Sequence, residues 1–284
     1  MKRGVRGRAV AQAPRVAYLG PEGTYTHSAV HARFGAAADG LPCVSIEEVF
    51  QAVQDRKADF GVVPVENSSE GAVSSTLDRL MSASPPICGE IELRVHHCLM
   101  ARTADPDRIE RVCAHPQALA QCRRWLDAQL PGAARVPVSS NAEGARRARD
   151  EAGTAAIAGE VAASVYDLVV LAGNIEDHDH NTTRFLVLGR RRPGPSGADK
   201  TSILVSGNRA RAGSLFRLLE PLARYKVNMT RIESRPSRLL KWDYVFFIDL
   251  EGHAKDTPVA KALAALRKRS SLYRVLGSYP RAVL

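Results

Sequence analysis

Five polar segments contain the side chains best suited to chemistry, and each lies beside an apolar run that is typical of a strand. Along the chain they are YLGPEGTYTH (18–27), VENSSEG (65–71), CAHPQALAQC (113–122), VSSNA (138–142) and DHDHNTTRFLVL (177–188). Ligands of α/β proteins bind at the carboxyl ends of sheet strands. The segments are therefore candidates for a site at such an edge.

The first and fourth segments each place a hydroxyl where a helix is predicted to begin. In the Gly-Pro-x-Gly-Thr turn, Gly23 and Thr24 would present backbone N–H groups and a hydroxyl at a helix N-terminus, where anions bind. Ser140 occupies a similar strand-to-helix junction. Both hydroxyls could instead serve only as helix caps. Anion binding and simple capping remain open for these two segments.

The second segment brings a carboxylate, an amide and two hydroxyls together directly after an apolar strand. Glu66 and Asn67 are followed by Ser68 and Ser69. This cluster offers hydrogen-bond donors and acceptors at one point of the predicted sheet edge. The alternative is that Ser68 caps a following helix without any ligand.

The third segment predicts a helix that presents two amides on one face. Pro116 is suited to the first helical turn, and Gln117 and Gln121 are then four residues apart on the same side. His115 precedes the helix start. It is either a turn histidine bonded to backbone or a functional group.

In the last segment, several polar residues directly precede a predicted strand. Side chains alternate along a strand, so only one of Thr182 and Thr183 can point into a given cleft. Arg184 could pair with a carboxylate. His178 and His180 resemble metal ligands, but no third ligand is placed with them, so we predict a solvated loop and no metal.

The region before residue 190 is predicted to be an α/β fold with a mostly parallel sheet, as one unit or as two lobes with a cleft between them. Short β-branched runs alternate there with helical patterns. The predicted strands are 16–19, 60–65, 111–114, 135–138, 155–158 and 185–188, and the clearest helices are 46–57 and 116–129.

A linker and a second unit follow. The run RRRPGPSGADK (190–200) contains two prolines, two glycines and no apolar periodicity. The elements after it are predicted as strand 201–206, helix 214–225, strand 227–234, strand 244–250, helix 258–269 and strand 272–279. This βαββαβ order builds a ferredoxin-like sheet, whose exposed edge favours pairing with a second copy.

The charge balance does not favour nucleic acid as a partner. Forty Lys and Arg against thirty Asp and Glu give a net charge of +10, but seven of the positive charges lie in the first eight residues and in the run 190–192. No aromatic residues are interleaved with these runs, as binding of single strands would require. A positive field that attracts a small anionic substrate is the better interpretation.

Two further classes are disfavoured by the apolar residues and the cysteines. The most apolar stretch, 155–173, is interrupted by Glu160 and Asp167, so we predict no membrane span. The five cysteines are odd in number and never spaced C-x-x-C, which argues against a disulfide framework and favours a reducing cytoplasm. The basic start, 1–14, is interpreted as a disordered leader rather than a secretion signal.

Taken together, five motifs resemble the prephenate dehydratase family in order and spacing. They are YLGPEGTYTHSAV, VPVENSSEGAV, HPQALAQC, NTTRF and, past the linker, IESRP, and the resemblance covers about residues 15–280. It implies a two-lobed catalytic domain similar to periplasmic binding proteins (15–191), a linker (192–199) and a ferredoxin-like ACT regulatory domain (200–284). The fourteen residues before Arg15 are too few for the helical bundle of a chorismate mutase, so a monofunctional enzyme is expected.

The resemblance also implies roles for individual residues. Ala114 departs from the family, which commonly has serine before His-Pro-Gln. The expected catalytic residues are Thr183, Glu66, Asn67 and Gln121, and the expected substrate-binding residues are Thr24, Gly23, Ser68, Arg184 and Ser140. The expected phenylalanine-binding residues are Gly213, Ser214, Leu215, Glu233, Ser234, Arg235 and Pro236.

The implied reaction is the decarboxylating dehydration of prephenate to phenylpyruvate in phenylalanine biosynthesis. Neither a metal nor an organic cofactor is expected, because aromatisation of the ring drives the reaction. Phenylalanine is the expected allosteric effector, and self-association to a dimer or tetramer is expected. Arogenate dehydratase is the alternative enzyme, and a non-catalytic amino-acid sensor is the alternative of another class.

Overall fold

Three β-sheets organise the chain. A computed structural model describes residues 13–82, 84–178, 180–207, 212–237 and 243–282. The leader predicted at 1–14 lies outside the described residues except for its last two positions. The first two sheets form two lobes joined by two crossing segments, and the third belongs to a carboxy-terminal unit.

The first lobe is a mixed sheet covered on both faces. Its strand order is β2-β1-β3-β11-β5, with β4 paired to the end of β3. One face packs on α1 and the other on α2 and α3, so the central strands are buried on both sides. The elements are β1 Arg15–Leu19, α1 Tyr25–Phe34, β2 Asp39–Cys43, α2 Ile46–Gln54, β3 Phe60–Asn67, β4 Gly71–Ala72, α3 Ser74–Met81, β5 Ile87–Arg94 and β11 Thr182–Gly189.

The second lobe repeats this plan with smaller side chains. Its sheet has the order β10-β6-β9-β7-β8, and alanines dominate the buried positions of β9 and of the helices on it. The elements are β6 Cys98–Ala101, a single 3-10 turn Pro106–Arg108, β7 Arg111–Ala114, α4 Pro116–Gln121, α5 Arg123–Gln129, β8 Ala134–Pro137, α6 Asn141–Asp150, β9 Thr154–Ala158, α7 Glu160–Tyr166 and β10 Val169–Ala172.

Two crossing segments, residues 95–97 and 173–181, connect the lobes and are bonded to each other. The Val95 N–H donates to the Asn181 carbonyl at 2.8 Å, and the Ile175 N–H donates to the His97 carbonyl at 3.0 Å. The His97 N–H donates to Glu176 Oε2 at 2.9 Å. The two lobes therefore meet at a short hydrogen-bonded junction, beside which a cleft opens.

The carboxy-terminal unit is a four-stranded antiparallel sheet of order β13-β14-β12-β15 with two helices on one face. The βαββαβ prediction is confirmed, and so is the two-lobed α/β fold before it. The elements are β12 Asp199–Ser206, α8 Ser214–Arg224, β13 Met229–Pro236, β14 Tyr244–Glu251, α9 Thr257–Arg267 and β15 Leu272–Pro280.

The helix-free face of this unit packs on the first lobe. Leu204, Phe247 and Leu276 share one buried cluster with Val63 and Leu186 of the first lobe. Strand β15 approaches β5 so closely that a Cβ built on Gly277 would lie 2.1 Å from the Ile87 carbonyl oxygen. The two units therefore share a continuous core.

Two features differ from the predictions. The sheets of the lobes are not mostly parallel, because β11 returns from the second lobe to run antiparallel between β3 and β5, and β6 likewise pairs antiparallel with β9. The helix predicted over 116–129 is interrupted at Cys122. Its second half begins anew because Asp177, from the crossing segment, accepts the N–H groups of Arg124 and Trp125. None of the helices in the described residues is long and apolar enough to cross a bilayer.

Replacing Gly277 by alanine is expected to destabilise the protein. The added methyl group would overlap the Ile87 carbonyl and force β15 away from β5, and overpacking of this kind costs about 1–3 kcal/mol. Urea denaturation measures the change. Gly89→Ala on β5 is the matched control, because its Cβ would meet Val187 at an ordinary 3.5 Å. Equal midpoints for the two variants would contradict the close approach.

Candidate active site

A cleft of about 360 Å³ lies between the two lobes, beside the crossing segments. Both lobes and both crossings contribute side chains to it. Its polar lining includes Thr24, Tyr25, Asn67, Glu70 and Thr183 from the first lobe, His115, Gln121 and Ser140 from the second lobe, and His97 and Asn181 from the crossings.

Asn67 and Thr183 lie side by side at the adjoining ends of β3 and β11. They are register partners, and Asn67 Nδ2 is 2.8 Å from Thr183 Oγ1. A β-bulge precedes them, because Arg184 pairs with Glu66 whereas Phe185 pairs with Pro64, which leaves Val65 as the extra residue. The bulge shifts the alternation of β3 by one position. Without the bulge, alternation from Pro64 would point the Glu66 side chain into the cleft. With the bulge, Asn67 points there instead.

Backbone groups fix which way the Asn67 amide points. Its Oδ1 accepts hydrogen bonds from the N–H groups of Ser69 at 2.9 Å and Glu70 at 3.1 Å. Nδ2 must then face the strand ends, where it donates to Thr183 Oγ1 and, at 2.7 Å, to Asn181 Oδ1. Thr183 is thus an acceptor toward Asn67. Its own hydroxyl proton has no acceptor among the described residues and is available to a molecule in the cleft.

The network continues across the junction to the second lobe. Asn181 Nδ2 donates to Gln121 Oε1 at 3.3 Å, and His97 Nε2 lies 2.8 Å from the same oxygen. The Tyr25 hydroxyl lies 2.7 Å from His97 Nδ1. Burial raises the pKa of Tyr25 and lowers the pKa of His97, so both groups are neutral near pH 7.

Four helices begin at the cleft, and their N-termini supply its positive potential. Thr24 caps α1 by accepting the His27 N–H, and Ser140 caps α6 by accepting the Glu143 N–H. His115 and Gly159 occupy the corresponding positions of α4 and α7. None of the described residues that line the cleft is a lysine or arginine, and one of them, Glu70, is acidic. The field available to an anion therefore comes from backbone dipoles and N–H groups.

Gly23 shapes the start of α1. It has a φ of 80°, which favours glycine, and a Cβ there would lie 2.9 Å from the Tyr166 ring. Its N–H donates to His27 Nδ1 at 3.1 Å. Gly23 thus lets the turn approach α7. Thr24 and Ser140 both cap a helix at the cleft wall, and the Thr24 hydroxyl also donates to the Leu19 carbonyl at 3.2 Å.

The structure does not bring Glu66 and Arg184 together with the cleft network. Both side chains lie on the reverse face of the sheet, toward the carboxy-terminal unit. Glu66 is 2.9 Å from Arg231 and 3.9 Å from Arg184. Arg184 bonds to Asp249 at 2.6 Å and to Glu90 at 2.8 Å. Glu66 and Arg184 are therefore not among the residues that line the cleft, because the bulge and the strand alternation turn both side chains away from it.

Arg184 belongs to a buried ion cluster, which we define as Arg184, Lys200, Glu90 and Asp249. Lys200 Nζ donates to Glu90 Oε2 at 2.8 Å, and the Tyr279 hydroxyl accepts from Arg184 at 3.2 Å. Burial would lower the Arg184 pKa, but Asp249 and the other acidic neighbours raise it above its ordinary value. Two cations and two carboxylates balance, so this cluster holds the carboxy-terminal unit on the first lobe without a net buried charge.

Ser68 also has a different position from that expected. Its hydroxyl donates to the His180 carbonyl at 3.1 Å and accepts the Thr182 N–H at 2.9 Å. The hydroxyl is therefore engaged in joining the loop after β3 to the start of β11. Ser68 is not a member of the cleft lining.

The residues expected to bind phenylalanine lie at one end of the third sheet. Gly213, at a φ of 71°, precedes α8, which begins with Ser214 and Leu215. Pro236 pairs with Tyr244, whose carbonyl accepts from Ser206 at the end of β12. The side chains of β13 alternate between the two faces of the sheet. Glu233 and Arg235 face the first lobe, whereas Ser234 and Pro236 face away from it. Arg235 bonds to Asp78 at 3.0 Å and to Ser74 at 2.9 Å.

Three members of the cleft network were missed by the sequence analysis. Asn181 directly precedes the two threonines and could have been included on that ground. Tyr25 lies in the first polar segment, but nothing in its neighbours indicates a partner 72 residues away. His97 stands in RVHHCLM, which contains no recognisable motif. Only the crossing of the two lobes brings these residues together.

Comparisons with known proteins agree with this architecture. A family model described as prephenate dehydratase matches residues 16–193, and one described as ACT domain matches residues 201–268. The chain is 50% identical to the bifunctional chorismate mutase/prephenate dehydratase of Pseudomonas aeruginosa over 97% of this chain and 76% of that protein. It is 42% identical to the prephenate dehydratase of Amycolatopsis methanolica, over 94% of this chain and 89% of that protein.

A solved structure is similar over nearly the whole fold. The crystal structure of prephenate dehydratase from Arthrobacter aurescens, in complex with L-Phe, superposes with a TM-score of 0.87 at 38% sequence identity. The superposition covers 94% of this chain and 90% of that one. With two lobes, a polar cleft and a ferredoxin-like unit already in place, these matches identify the chain as a member of the prephenate dehydratase family with an ACT domain.

Proposed function

We propose that the cleft binds prephenate and converts it to phenylpyruvate, with Thr183 donating a hydrogen bond to the departing ring hydroxyl. The observation that carries this assignment is the Asn67–Thr183 pair, because Asn67 occupies the acceptor side of the threonine and directs its proton into the cleft. The role belongs to Thr183 and not to Thr182, whose backbone N–H is bonded to Ser68 outside the cleft lining.

The reaction needs positioning and one proton. The bond between the ring and its carboxylate breaks and releases carbon dioxide, and the electron pair moves through the ring and expels the hydroxyl group. The proton that turns hydroxide into water comes finally from solvent. A hydrogen bond from Thr183 stabilises the charge that develops on the leaving oxygen. The hydrogen bond that Thr183 accepts from Asn67 polarises its O–H and strengthens this donation.

Substrate anions are held by helix starts in this proposal. Prephenate carries two carboxylates, and the cleft offers the N-termini of α1 and α6 with the hydroxyls of Thr24 and Ser140 beside them. Partial positive charge at helix N-termini stabilises anions. Arg184 is not needed for this purpose, because its charge is already balanced by Asp249 and Glu90.

L-phenylalanine is the proposed effector, and it inhibits by acting at the ACT domain. Two ion pairs offer a route from that domain to the cleft. Arg231 on β13 contacts Glu66, which immediately precedes Asn67, and Asp249 on β14 contacts Arg184, which immediately follows Thr183. An effector that displaces β13 or β14 would therefore shift the two residues whose hydrogen bond aims the reacting hydroxyl.

Self-association and compartment are part of the same proposal. Strand β13 is an edge of the third sheet, and Ile232 on it and Phe216 at the start of α8 are exposed apolar side chains. An edge with apolar neighbours favours pairing with a second copy, giving a dimer or a dimer-based tetramer. All five cysteines are free thiols, which supports a reducing cytoplasm.

Thr183→Ala is expected to lower kcat for phenylpyruvate formation at least about tenfold, with a smaller change in KM. The hydroxyl acts on charge that develops only in the transition state. Thr183→Ser keeps the donor and should retain most of the activity, and Thr182→Ala is the matched control that should resemble the unsubstituted enzyme. Unchanged turnover in Thr183→Ala would remove this residue from the mechanism.

Arg231→Gln is expected to weaken inhibition while phenylalanine still binds. The substitution removes the charge that contacts Glu66, and residues along a coupling route change coupling by about 2- to 30-fold. Turnover at increasing phenylalanine gives the inhibition, and calorimetry gives the binding. Arg281→Gln, which removes a half-exposed pair with Glu251 in the same domain, is the control. Wild-type inhibition in Arg231→Gln would exclude this pair as the route.

A further inference from the structure

We propose that His97 is a positioning residue that holds the Gln121 amide with its NH2 group facing the cleft, where it donates to an anionic group of the substrate. This inference rests on the proposed function, because it names a substrate contact in the same cleft. It assigns a role to a buried histidine in a crossing segment, outside every motif of the sequence analysis.

The orientation of Gln121 follows from a chain of directed hydrogen bonds. The N–H groups of Ser69 and Glu70 fix Asn67, whose Nδ2 then requires Asn181 to turn its oxygen toward it. Asn181 Nδ2 is left to donate, and it donates to Gln121 Oε1. The Gln121 oxygen is thereby directed into the network.

His97 completes this arrangement. Its Nε2 lies 2.8 Å from Gln121 Oε1, and since that oxygen can only accept, Nε2 carries the proton. With the proton on Nε2, the Nδ1 of the neutral ring must accept, so the Tyr25 hydroxyl directs its proton to Nδ1 at 2.7 Å, the shorter of its two contacts, and the His96 carbonyl at 2.9 Å is the second acceptor beside it. Glu176 fixes the backbone of His97 by accepting its N–H. Two donors therefore bind the Gln121 oxygen, one from each crossing segment.

The consequence for the cleft is a second donor beside Thr183. Gln121 Nε2 has no acceptor among the described residues, and it is not one of their buried unpaired atoms. It therefore opens toward the cleft, whose lining includes Gln121. Were the amide reversed, its oxygen would repel a substrate carboxylate and leave the His97 and Asn181 donors facing an NH2 group. A carboxylate of a dianionic substrate is the class of group that this donor fits.

The kinetic signature of such a contact differs from that of Thr183. The side-chain carboxylate of prephenate keeps its charge in the transition state, whereas the ring carboxylate leaves as carbon dioxide. Loss of a donor to the side-chain carboxylate therefore raises KM and leaves kcat nearly unchanged. His97→Phe keeps a ring in the cavity but lacks the Nε2–H donor, and we expect KM to rise about tenfold. His97→Gln can place an amide N–H near the former Nε2 position and should restore most of the loss.

Two comparisons make the kinetic test specific. His96→Gln is the matched control. The His96 side chain is half-exposed and adjacent to His97 in the chain, but it contacts Glu176 and not Gln121. In a Gln121→Ala background, His97→Phe should have no further effect on KM, since the group that it orients is gone. A fall in kcat at constant KM, additive effects of the two substitutions, or equal losses in His97→Phe and His97→Gln would overturn the assignment.

A measurement on the unsubstituted protein does not depend on activity. The 15N chemical shifts of histidine-labelled protein identify which ring nitrogen carries the proton, and the resonance absent from His97→Gln assigns His97. Protonation at Nε2 is expected. Protonation at Nδ1 alone would reverse Gln121 and overturn the inference, even if the enzyme forms phenylpyruvate. Absence of phenylpyruvate formation with Nε2 protonated would instead count against the proposed function.

Discussion

The pairing of the ends of β3 and β11 is the constraint on which the site depends. One bulge, at Val65, decides which side chains of the two strands face the cleft and which face the ACT domain. On one side Asn67 bonds to Thr183, and on the other Glu66 and Arg184 contact residues of β13 and β14. Because these are neighbouring residues of the same two strands, the chemistry and the domain contact cannot be moved independently.

The electrostatics of the two faces are opposite in kind. The reverse face buries charged side chains and balances them, since Arg184 and Lys200 meet Glu90 and Asp249. The cleft instead has mainly amides, hydroxyls and helix starts among its described residues, with Glu70 as the carboxylate among them, and the His97 ring stays neutral because burial lowers its pKa. Neutral donors and dipoles can bind a dianion without also holding its product tightly through full charges. A mobile arginine in this cleft would instead hold the product tightly through its full charge.

How much could be predicted from the sequence depended on how local each interaction is. The caps Thr24 and Ser140 were predicted because a cap bonds to a residue three positions later, and the βαββαβ order followed from strand and helix patterns of ordinary length. Thr183 and Asn67 were correctly placed at strand ends next to polar residues. The reverse-face positions of Glu66 and Arg184 were not predicted, since nothing local marks the bulge and their partners Arg231 and Asp249 lie in another domain. His97 was not predicted, because its role exists only where the lobes cross.

The position of this network at the junction between the lobes has a consequence for regulation. Tyr25, Asn67 and Thr183 belong to the first lobe, Gln121 to the second, and His97 and Asn181 to the crossings. Its weakest contact, 3.3 Å between Asn181 and Gln121, is also the one that spans from a crossing to the second lobe. The buried cluster that the ACT domain shares with the lobes contains residues of the first lobe only. On the proposed route, an effector signal would therefore reach the cleft through Asn67 and Thr183 first. A small displacement of those strand ends would loosen the alignment of both donors at once, because the orientation of Gln121 is set by the same amides that aim Thr183.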